Sequence, residues 1–252
     1  MILNDRYIVV TGAAGGLGAA FAKGLAEAGA AHVLIADHNR AEGERRTIEL
    51  LEAGFSASFA EIDLADPASV EAFAALVPEH MPRVDGLINN AAVATAIGGK
   101  YAEEIDVETW DRVMSVNVRG TWLVTRALAP RLRASPKGGR IVNMASDTAL
   151  WGATRLLHYV ASKGAVISMT YALSRELGPD RITVNAIAPG LVETPSTEYV
   201  PQDRRDWYTG GSALGRLGQP EDIVGAAVYL LSDSAAFVTG QVIPVNGGLV
   251  HP

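Results

Sequence analysis

Three side chains in the middle of the chain could together handle the proton of an alcohol. Tyr159 and Lys163 are four residues apart in a stretch with helical periodicity, so both side chains share one face of the predicted helix. An amphipathic surface helix could carry the same pair. Ser146 lies at the carboxyl end of a predicted strand, where its hydroxyl can face a ligand. A tyrosine that works near neutral pH needs a pKa well below its ordinary value of about 10, and the Lys163 ammonium is a positive charge that can lower it.

A glycine-rich segment near the amino terminus could bind a pyrophosphate. It follows the first predicted strand, opens the first helix and reads Thr11-Gly-Ala-Ala-Gly-Gly-Leu17-Gly18. Gly12 permits a tight turn, Gly16 lets the backbone approach phosphate, and Gly18 allows close packing of helix and strand. The spacing is G-x-x-x-G-x-G, so a turn without a ligand is the alternative interpretation.

Two aspartates follow the next two strands and could contact the adenosine half of a dinucleotide. Asp37 ends the second strand and can accept hydrogen bonds from the ribose hydroxyls, while its charge repels a 2'-phosphate. Arg40 is three residues away, and we expect NAD to be preferred over NADP. The alternative for Asp37 is a helix cap before Ala41. Asp63 could likewise be a cap or an acceptor for the adenine amino group.

The elements that position these residues alternate between strand and helix. Seven short apolar runs predict strands, at Tyr7–Val10, His32–Ala36, Ala57–Ile62, Gly86–Ile88, Arg140–Met144, Ile182–Ile187 and Gln241–Val245. Apolar strands between helices indicate a parallel sheet covered on both faces, which is the doubly wound α/β Rossmann fold. Ligands of such sheets bind at the carboxyl ends of the strands.

No linker or repeat divides the chain, so we expect a single domain spanning residues 1–252. The least regular stretch, from Glu193 to Leu217, carries several prolines and glycines between a strand and a helix. A substrate lid is the functional interpretation of this stretch, and an ordinary surface loop is the alternative.

Composition excludes several classes of function. The chain has 252 residues, 48% of them apolar, and a net charge of -7 that offers no positive field for nucleic acid. It has no cysteine, and its five histidines lack ligand-like spacing, so we expect no metal site. No apolar run has the length of a signal peptide or of a membrane span. We therefore expect a soluble cytoplasmic protein.

These motifs occur together in an order that resembles the typical branch of the short-chain dehydrogenase/reductase family, over essentially the whole chain. Ala92 and Asn246 are departures, at positions where the family usually has glycine and aspartate. The matching pieces are Thr11–Gly18, Asp63-Leu64, Asn89-Asn90-Ala91, Asn117, Ser146, Tyr159 with Lys163, Asn185, Pro189-Gly190-Leu191-Val192-Glu193-Thr194 and Val245–Gly248.

The resemblance implies a role for each catalytic residue. Tyr159 would be the general acid and base, and Ser146 would hydrogen-bond the substrate oxygen. Lys163 would hold the nicotinamide ribose and stabilise the tyrosinate, and Asn117 would orient a water that joins Lys163 to solvent.

The resemblance also implies cofactor contacts outside the glycine turn. The backbone N–H of Val192 and the hydroxyl of Thr194 would contact the nicotinamide carboxamide. Asn90 would support the central strand, and the backbone from Asn89 to Ala91 would border adenosine. The cofactor-binding residues expected in all are Gly12, Gly16, Leu17, Gly18, Asp37, Asp63, Leu64, Asn90, Ala91, Tyr159, Lys163, Pro189, Gly190, Val192 and Thr194.

The predicted function is an NAD-dependent oxidoreductase that moves hydride between nicotinamide and a secondary alcohol or ketone. Trp151, Trp207 and Tyr208 could converge on the substrate, which favours a cyclic or aryl alcohol, although core packing is an alternative for each. Arg155 could instead pair with a substrate carboxylate. The alternative functions are an NADPH-dependent reductase of 3-oxoacyl thioesters and a non-catalytic dinucleotide sensor. The resemblance suggests a homotetramer built through the helices Tyr159–Leu177 and Glu221–Leu231.

Overall fold

The computed structural model describes residues 2–251 and contains one sheet of seven parallel strands. The order of the strands is β3-β2-β1-β4-β5-β6-β7, so the chain winds outward in both directions from the β1–β4 pair. The seven predicted strands are confirmed, with small shifts at their ends. They are β1 (Tyr7–Thr11), β2 (His32–Asp37), β3 (Ala57–Glu61), β4 (Gly86–Asn89), β5 (Arg140–Met144), β6 (Thr183–Pro189) and β7 (Val242–Val245).

Helices cover both faces of the sheet. Successive residues of β1 point to opposite faces, so Ile8 and Val10 pack in one apolar cluster and Val9 packs in the other. The helices are α1 (Gly16–Glu27), α2 (Arg40–Glu52), α3 (Pro67–His80), α4 (Val107–Met114), α5 (Thr121–Arg133), α6 (Thr148–Trp151), α7 (Leu157–Leu177), α8 (Gln202–Gly211) and α9 (Pro220–Leu231).

Local sequence signals account for several helix starts. Asp66 caps α3, its carboxylate accepting the backbone N–H of Ala68 at 2.9 Å, and Pro67 occupies the first turn, as the sequence predicts. Asn39 caps α2 by accepting the N–H of Glu42 at 3.2 Å. Asp37 therefore does not cap this helix, and the alternative interpretation of that residue is wrong.

A π-helical turn, Ser115–Gly120, joins α4 to α5 without interrupting the helical backbone. Such a turn holds one more residue than a regular α-helical path and is commonly found at functional sites. It contains Asn117, whose side chain it directs into the protein interior.

The stretch 193–217 is more regular than the sequence predicts. It contains a short 3₁₀ turn, Pro195–Thr197, and the ten-residue helix α8. The sequence does not predict this helix, because the segment is polar and ends in two glycines. Among its residues only Tyr208 is buried, so no apolar periodicity marks the helix. Within residues 2–251, no helix is both long and apolar enough to cross a membrane.

Candidate active site

A cavity of about 990 Å³ opens at the carboxyl ends of the central strands, where parallel sheets bind ligands. Three of the predicted site residues, Asn117, Trp151 and Trp207, do not line it. Its wall includes all the others, namely Gly12, Gly16, Leu17, Gly18, Asp37, Asp63, Leu64, Asn90, Ala91, Ser146, Tyr159, Lys163, Pro189, Gly190, Val192, Thr194 and Tyr208.

The glycine turn forms a backbone cradle at one end of the cavity. Gly12 has φ of 65° and Gly16 has φ of 52°, a region that favours glycine. A Cβ atom on Gly12 would lie 2.7 Å from Cα of Ala91, and one on Gly18 would overlap the carbonyl of Gly12. Gly15 precedes α1 and offers no side-chain cap, so the N–H groups of the first turn keep their hydrogen-bonding capacity. These residues fit the pyrophosphate of a dinucleotide.

Hydrogen bonds between β1 and β4 hold this cradle in place. The Asn90 amide donates to the backbone oxygens of Thr11 at 3.0 Å and Gly12 at 3.1 Å. The Thr11 hydroxyl oxygen accepts the N–H groups of Asn90 and Ala91 at 3.0 and 3.2 Å. The side chain of Asn90 therefore supports the loop from within the protein.

Asp37 places a fixed carboxylate beside the cradle. Its Oδ2 accepts the N–H of Ala14 and its Oδ1 accepts the N–H of Asn39, both at 3.0 Å, and only 7% of the residue is exposed. Arg40 does not neutralise it, because the guanidinium donates to Glu61 at 2.7 Å and to Glu44 at 3.4 Å. This end of the cavity is suited to neutral hydroxyl groups.

Asp63 lies at the same end of the cavity and closes the turn after β3. Its Oδ1 accepts the N–H of Ala65 at 2.8 Å, and the side chain is exposed at the cavity wall. The second carboxylate oxygen has no partner among the described residues, which leaves it an acceptor for a ligand.

Lys163 and Tyr159 face the other end of the cavity from consecutive turns of α7. Lys163 Nζ lies 5.6 Å from the centre of the Tyr159 ring and donates to the backbone oxygen of Met144 at 2.7 Å. Burial lowers the pKa of Lys163 to about 8. The hydrogen bond to Met144 holds the ammonium next to the phenol. Because it uses one of the three N–H groups, two remain for a ligand.

The phenol of Tyr159 is protonated in this environment. Burial raises its pKa above the ordinary value, and a hydrogen bond with Ser146 acts in the opposite direction. Acid–base catalysis near neutral pH requires a lower pKa for this phenol. Positive charge close to the hydroxyl would have to provide that decrease.

Ser146 has a partner that the sequence did not indicate. Its Oγ accepts the hydroxyl of Thr148 at 2.9 Å and the N–H of Thr148 at 3.3 Å. Because these bonds use the oxygen lone pairs, the hydroxyl hydrogen of Ser146 is directed elsewhere. Nothing in the sequence marked Thr148 apart from its position two residues after Ser146.

Asn117 is buried behind the cavity wall. Its amide oxygen accepts the N–H of Val93 at 2.7 Å, and its amide nitrogen donates to the Ser162 hydroxyl at 3.1 Å. Thr121 donates to its backbone oxygen at 2.9 Å. Asn117 thus connects the loop after β4 to α7, next to Lys163.

The three predicted substrate aromatics form a cluster, but only one of them reaches the cavity. The Trp151 and Trp207 rings are 4.6 Å apart, and the Trp207 and Tyr208 rings are 5.2 Å apart. The Tyr208 hydroxyl donates to the buried carboxyl of Asp147 at 3.2 Å. Burial raises the pKa of Asp147 to about 7. This acid, directly after Ser146, was not singled out from the sequence.

Two arginines border the substrate end of the cavity. Arg155 donates from Nη2 to the Tyr101 hydroxyl at 2.6 Å and stacks on the Tyr101 ring. Arg204 lies over the Trp151 ring with its guanidinium carbon 5.3 Å from the ring centre. The cavity is thus bordered by a glycine-rich backbone cradle, a fixed carboxylate, a buried lysine next to a tyrosine, and cationic groups.

Comparison with known proteins places the chain among oxidoreductases. A family profile described as enoyl-(acyl carrier protein) reductase matches residues 12–250. The chain is 37% identical to (2S)-[(R)-hydroxy(phenyl)methyl]succinyl-CoA dehydrogenase subunit BbsD of Thauera aromatica, over 98% of both chains. It is 36% identical to cyclopentanol dehydrogenase of Comamonas testosteroni, over 98% of this chain and 97% of the relative. It is 33% identical to a 3-oxoacyl-[acyl-carrier-protein] reductase of Pseudomonas aeruginosa, over 99% of both chains.

Solved structures agree with this placement. A gluconate 5-dehydrogenase of Burkholderia cenocepacia in complex with NADP and tartrate superposes with a TM-score of 0.91 at 32% identity, covering 98% of this chain and 96% of the other. Levodione reductase superposes with a TM-score of 0.89 at 30% identity, covering 98% of both chains. The chain belongs to the short-chain dehydrogenase/reductase family.

Proposed function

We propose that this member of the family is an NAD-dependent oxidoreductase that interconverts a secondary alcohol and its ketone. One observation carries the proposal. The glycine cradle and Asp37 line the same cavity as Ser146, Tyr159 and Lys163, so a dinucleotide and a substrate oxygen can be bound side by side.

Proton transfer is the work of the protein's own side chains. The bound dinucleotide supplies a nicotinamide ring that accepts or donates hydride. During oxidation the Tyr159 phenolate removes the proton from the substrate hydroxyl, and during reduction the phenol returns it. Ser146 donates a hydrogen bond to the substrate oxygen. The Lys163 ammonium stabilises the phenolate and holds ribose hydroxyls with its free N–H groups.

Asn117 is not in the cavity wall and contributes to the proposed proton transfer through its neighbours. Its amide holds the loop at Val93 and the hydroxyl of Ser162, the residue before Lys163. We assign it the role of positioning Lys163 and a water that passes protons from this lysine to solvent.

The preference for NAD is supported by the charges around the ribose position. Asp37 would lie against a 2'-phosphate, and repulsion of this kind excludes a ligand as effectively as lost contacts do. The arginines of α2 make no ion pair with Asp37, although Nε of Arg46 donates to the backbone oxygen of Ala14 at 3.3 Å. Arg40 is paired with Glu61 and Glu44, and Arg46 is paired with Glu49 at 2.9 Å.

The second candidate is an NADPH-dependent reductase of 3-oxoacyl thioesters. It is favoured by the 3-oxoacyl-[acyl-carrier-protein] reductases among the relatives and by the NADP found in a related structure. Such an enzyme needs a site for the 2'-phosphate, and Asp37 opposes one. For that reason we rank it second.

The substrate body is apolar, and we propose a cyclic or aryl group. The cavity that Ser146 and Tyr159 line also carries the apolar side chains of Val93, Leu191 and Val200. Burial of apolar surface there contributes about 25 cal/mol per Å². The names of cyclopentanol dehydrogenase and of the phenyl-bearing succinyl-CoA dehydrogenase subunit are consistent with such a substrate.

At a larger scale we propose one catalytic domain, with residues 193–217 as its substrate lid. Helix α8 brings Tyr208 to the cavity wall, which supports the lid. We also propose a homotetramer that packs through α7 and α9. Gly164 and Gly225 support it, because a Cβ atom on either would meet no atom within 4 Å apart from adjacent residues and the nearby backbone of its own helix.

The test is steady-state turnover of the purified protein with NAD and with NADP. The panel contains cyclic, aryl and straight-chain secondary alcohols, the matching ketones, and a 3-oxoacyl thioester. We expect turnover of a cyclic or aryl member with kcat/KM at least tenfold higher for NAD. Higher kcat/KM for the thioester with NADPH would establish the second candidate instead. Dinucleotide binding without turnover of any member would indicate a non-catalytic sensor.

A further inference from the structure

An arginine covers the Trp151 ring of the aromatic cluster at the substrate end of the cavity. The rings of Trp151 and Trp207 do not line the cavity, whereas Arg204 does. The Arg204 guanidinium carbon lies 5.3 Å from the centre of the Trp151 ring, close enough for a cation–π interaction. The wall that the sequence predicts to be aromatic therefore presents a positive charge to the substrate.

The guanidinium of Arg204 has no hydrogen-bond or ion-pair partner among residues 2–251, although the side chain is half-buried. The next residue shows the usual arrangement, because Arg205 donates to Glu193 at 2.7 Å. A guanidinium group presents five N–H donors in a planar fork that matches a carboxylate. Because Arg204 lines the cavity, its donors are open to an anionic ligand, with which they would form charge-assisted hydrogen bonds.

The nearby acidic groups leave this charge largely uncompensated. Asp147 is the buried acid of the cluster, and because burial raises its pKa to about 7, it is ionised only in part at neutral pH. Its carboxyl accepts from Tyr208 and makes no ion pair with Arg204. Asp203 also lines the cavity, but its side chain is exposed at the rim.

We propose that Arg204 binds a carboxylate of the substrate, so that the substrate is a hydroxy acid or an oxo acid with an apolar body. The proposal rests on the oxidoreductase function given above and narrows its substrate class. Arg204 would hold the acid end on the face of Trp151 while Ser146 and Tyr159 bind the reacting oxygen.

Two other arginines border the cavity, and the structure favours them less. Arg155 is exposed, and its guanidinium already donates to the Tyr101 hydroxyl and stacks on that ring at 4.5 Å. Arg112 is exposed on α4 and has no aromatic face to hold it in place. Only Arg204 combines partial burial, a fixed stacking partner and free donors.

The experiment compares an anionic ketone with its neutral methyl ester, which is larger by one methyl group. Reduction of 4-acetylbenzoate and of its neutral methyl ester is measured with NADH and with NADPH in the unmodified enzyme and in Arg204→Gln. Hydrogen bonds to charged groups contribute about 1.5–3 kcal/mol, which corresponds to roughly 10- to 100-fold in kcat/KM. We expect the substitution to lower kcat/KM for the acid by that factor and to leave the ester within threefold.

Two matched variants serve as controls. Arg126→Gln makes the same substitution at an exposed arginine of α5 that also stacks on a tryptophan and does not line the cavity, and it should change kcat/KM for neither substrate. Arg155→Gln tests the competing arginine. If Arg155→Gln, and not Arg204→Gln, lowers kcat/KM for the acid selectively, the assignment to Arg204 is overturned.

Other outcomes separate this proposal from the proposed function. Turnover of the ester at a rate equal to that of the acid, unchanged in Arg204→Gln, overturns the carboxylate site and leaves the oxidoreductase function standing. If neither ketone is reduced, equilibrium binding of 4-acetylbenzoate to the protein with NAD is measured by calorimetry. Binding that Arg204→Gln weakens at least tenfold supports the site, and equal binding by both proteins overturns it.

Discussion

In the proposed reaction Tyr159 carries the proton that moves, and burial of the phenol opposes the loss of that proton. Burial raises the pKa of this phenol, while burial lowers the pKa of Lys163 to about 8. The two shifts make the free pair less charged than in water. The phenol and the ammonium therefore depend on one another for the charged state that catalysis needs.

Replacing Tyr159 by Phe should separate chemistry from binding. General acid–base catalysis is worth about 10²- to 10⁴-fold, so we expect Tyr159→Phe to lower kcat by at least about 100-fold. NAD affinity, measured by fluorescence titration, should stay within a few-fold because the cradle and Asp37 are untouched. Turnover near the unmodified rate would show that another group transfers the proton.

Asp37 should determine which dinucleotide is used. Replacing it with Ser keeps an oxygen near the N–H groups of Ala14 and Asn39 and removes the charge that repels a 2'-phosphate. We expect the ratio of kcat/KM for NAD over NADP to fall at least tenfold in Asp37→Ser. The melting temperature is the control for a folding defect. Equal kcat/KM for NAD and NADP in the unmodified enzyme would contradict the assignment.

At this scale the sequence predicted the cavity wall well where backbone geometry decides it. Glycines after a strand and an aspartate at the end of the next strand have their positions set by the fold. The sequence predicted the cavity wall less well where the direction of a side chain determines whether the residue lines it. Trp151 is close to Ser146 in the chain, yet its ring packs behind Arg204, and no pattern in the sequence reports which of two neighbouring side chains covers the other.

Among the elements, the loop after β5 and helix α8 are joined by one hydrogen bond between buried groups. The Tyr208 hydroxyl donates to Asp147 Oδ1 at 3.2 Å, and only 1% of Asp147 is exposed. The same loop carries Ser146. The position of the proposed lid is therefore linked to the protonation state of an acid at the active site.

Replacing Asp147 by Asn should change how stability depends on pH. Burial raises the pKa of Asp147 from 3.8 to about 7, so the folded protein binds more protons than the unfolded chain between these values. The contribution of Asp147 to the free energy of unfolding is therefore greatest below about pH 4. This contribution is lost as the pH rises through 7, and the total loss is about 4 kcal/mol. Asp147→Asn keeps the acceptor for Tyr208 and removes this loss.

Urea unfolding between pH 5 and pH 8.5 is the measurement. We expect the free energy of unfolding of Asp147→Asn to exceed that of the unmodified protein at pH 8.5 and the difference to shrink towards pH 5. Parallel curves over the whole range would show that Asp147 is ionised at low pH and that burial does not govern it.

Strands and helices with a strong apolar pattern in the sequence were predicted, and those with a weak pattern were not. The strands are apolar and bounded by turn residues, so their ends were found within two residues. Helix α8 is polar and ends in two glycines, which hides its helical character until Tyr208 has a place to be buried. The π-helical turn between α4 and α5 has no sequence mark, because its wider path depends on the bonds of Asn117 to Val93 and Ser162.

For the whole molecule, the partly exposed Gly164 of α7 and the exposed Gly225 of α9 are consistent with close packing of subunits. Four copies of the 26.5 kDa chain have a total mass of about 106 kDa. Sedimentation velocity measures this mass. Gly225 is exposed on α9, and a Cβ atom there meets no atom within 4 Å apart from adjacent residues and the nearby backbone of its own helix, so Gly225→Leu should fold as a protomer. We expect this variant to dissociate into smaller species because the added side chain keeps the helices apart.

The matched control is Ala75→Leu, which adds a leucine at an exposed position of α3, a helix outside the proposed interface. It should keep the mass of the unmodified protein. A monomeric mass for the unmodified protein at micromolar concentration, or a Gly225→Leu variant with unchanged mass, would contradict packing through α9.

The turn at Ser115–Gly120 also sets how α5 is rotated about its axis relative to α4. A π-helical turn differs from a regular helix by a single inserted residue, and each residue rotates the helix by about 100°. Deleting one residue would let α4 and α5 continue as one regular helix and would turn Asn117 away from Val93 and Ser162. The buried face of α5, which includes Leu123, Val124 and Leu128, would turn with it. Single-residue deletions at these six positions should therefore lower the melting temperature as well as turnover.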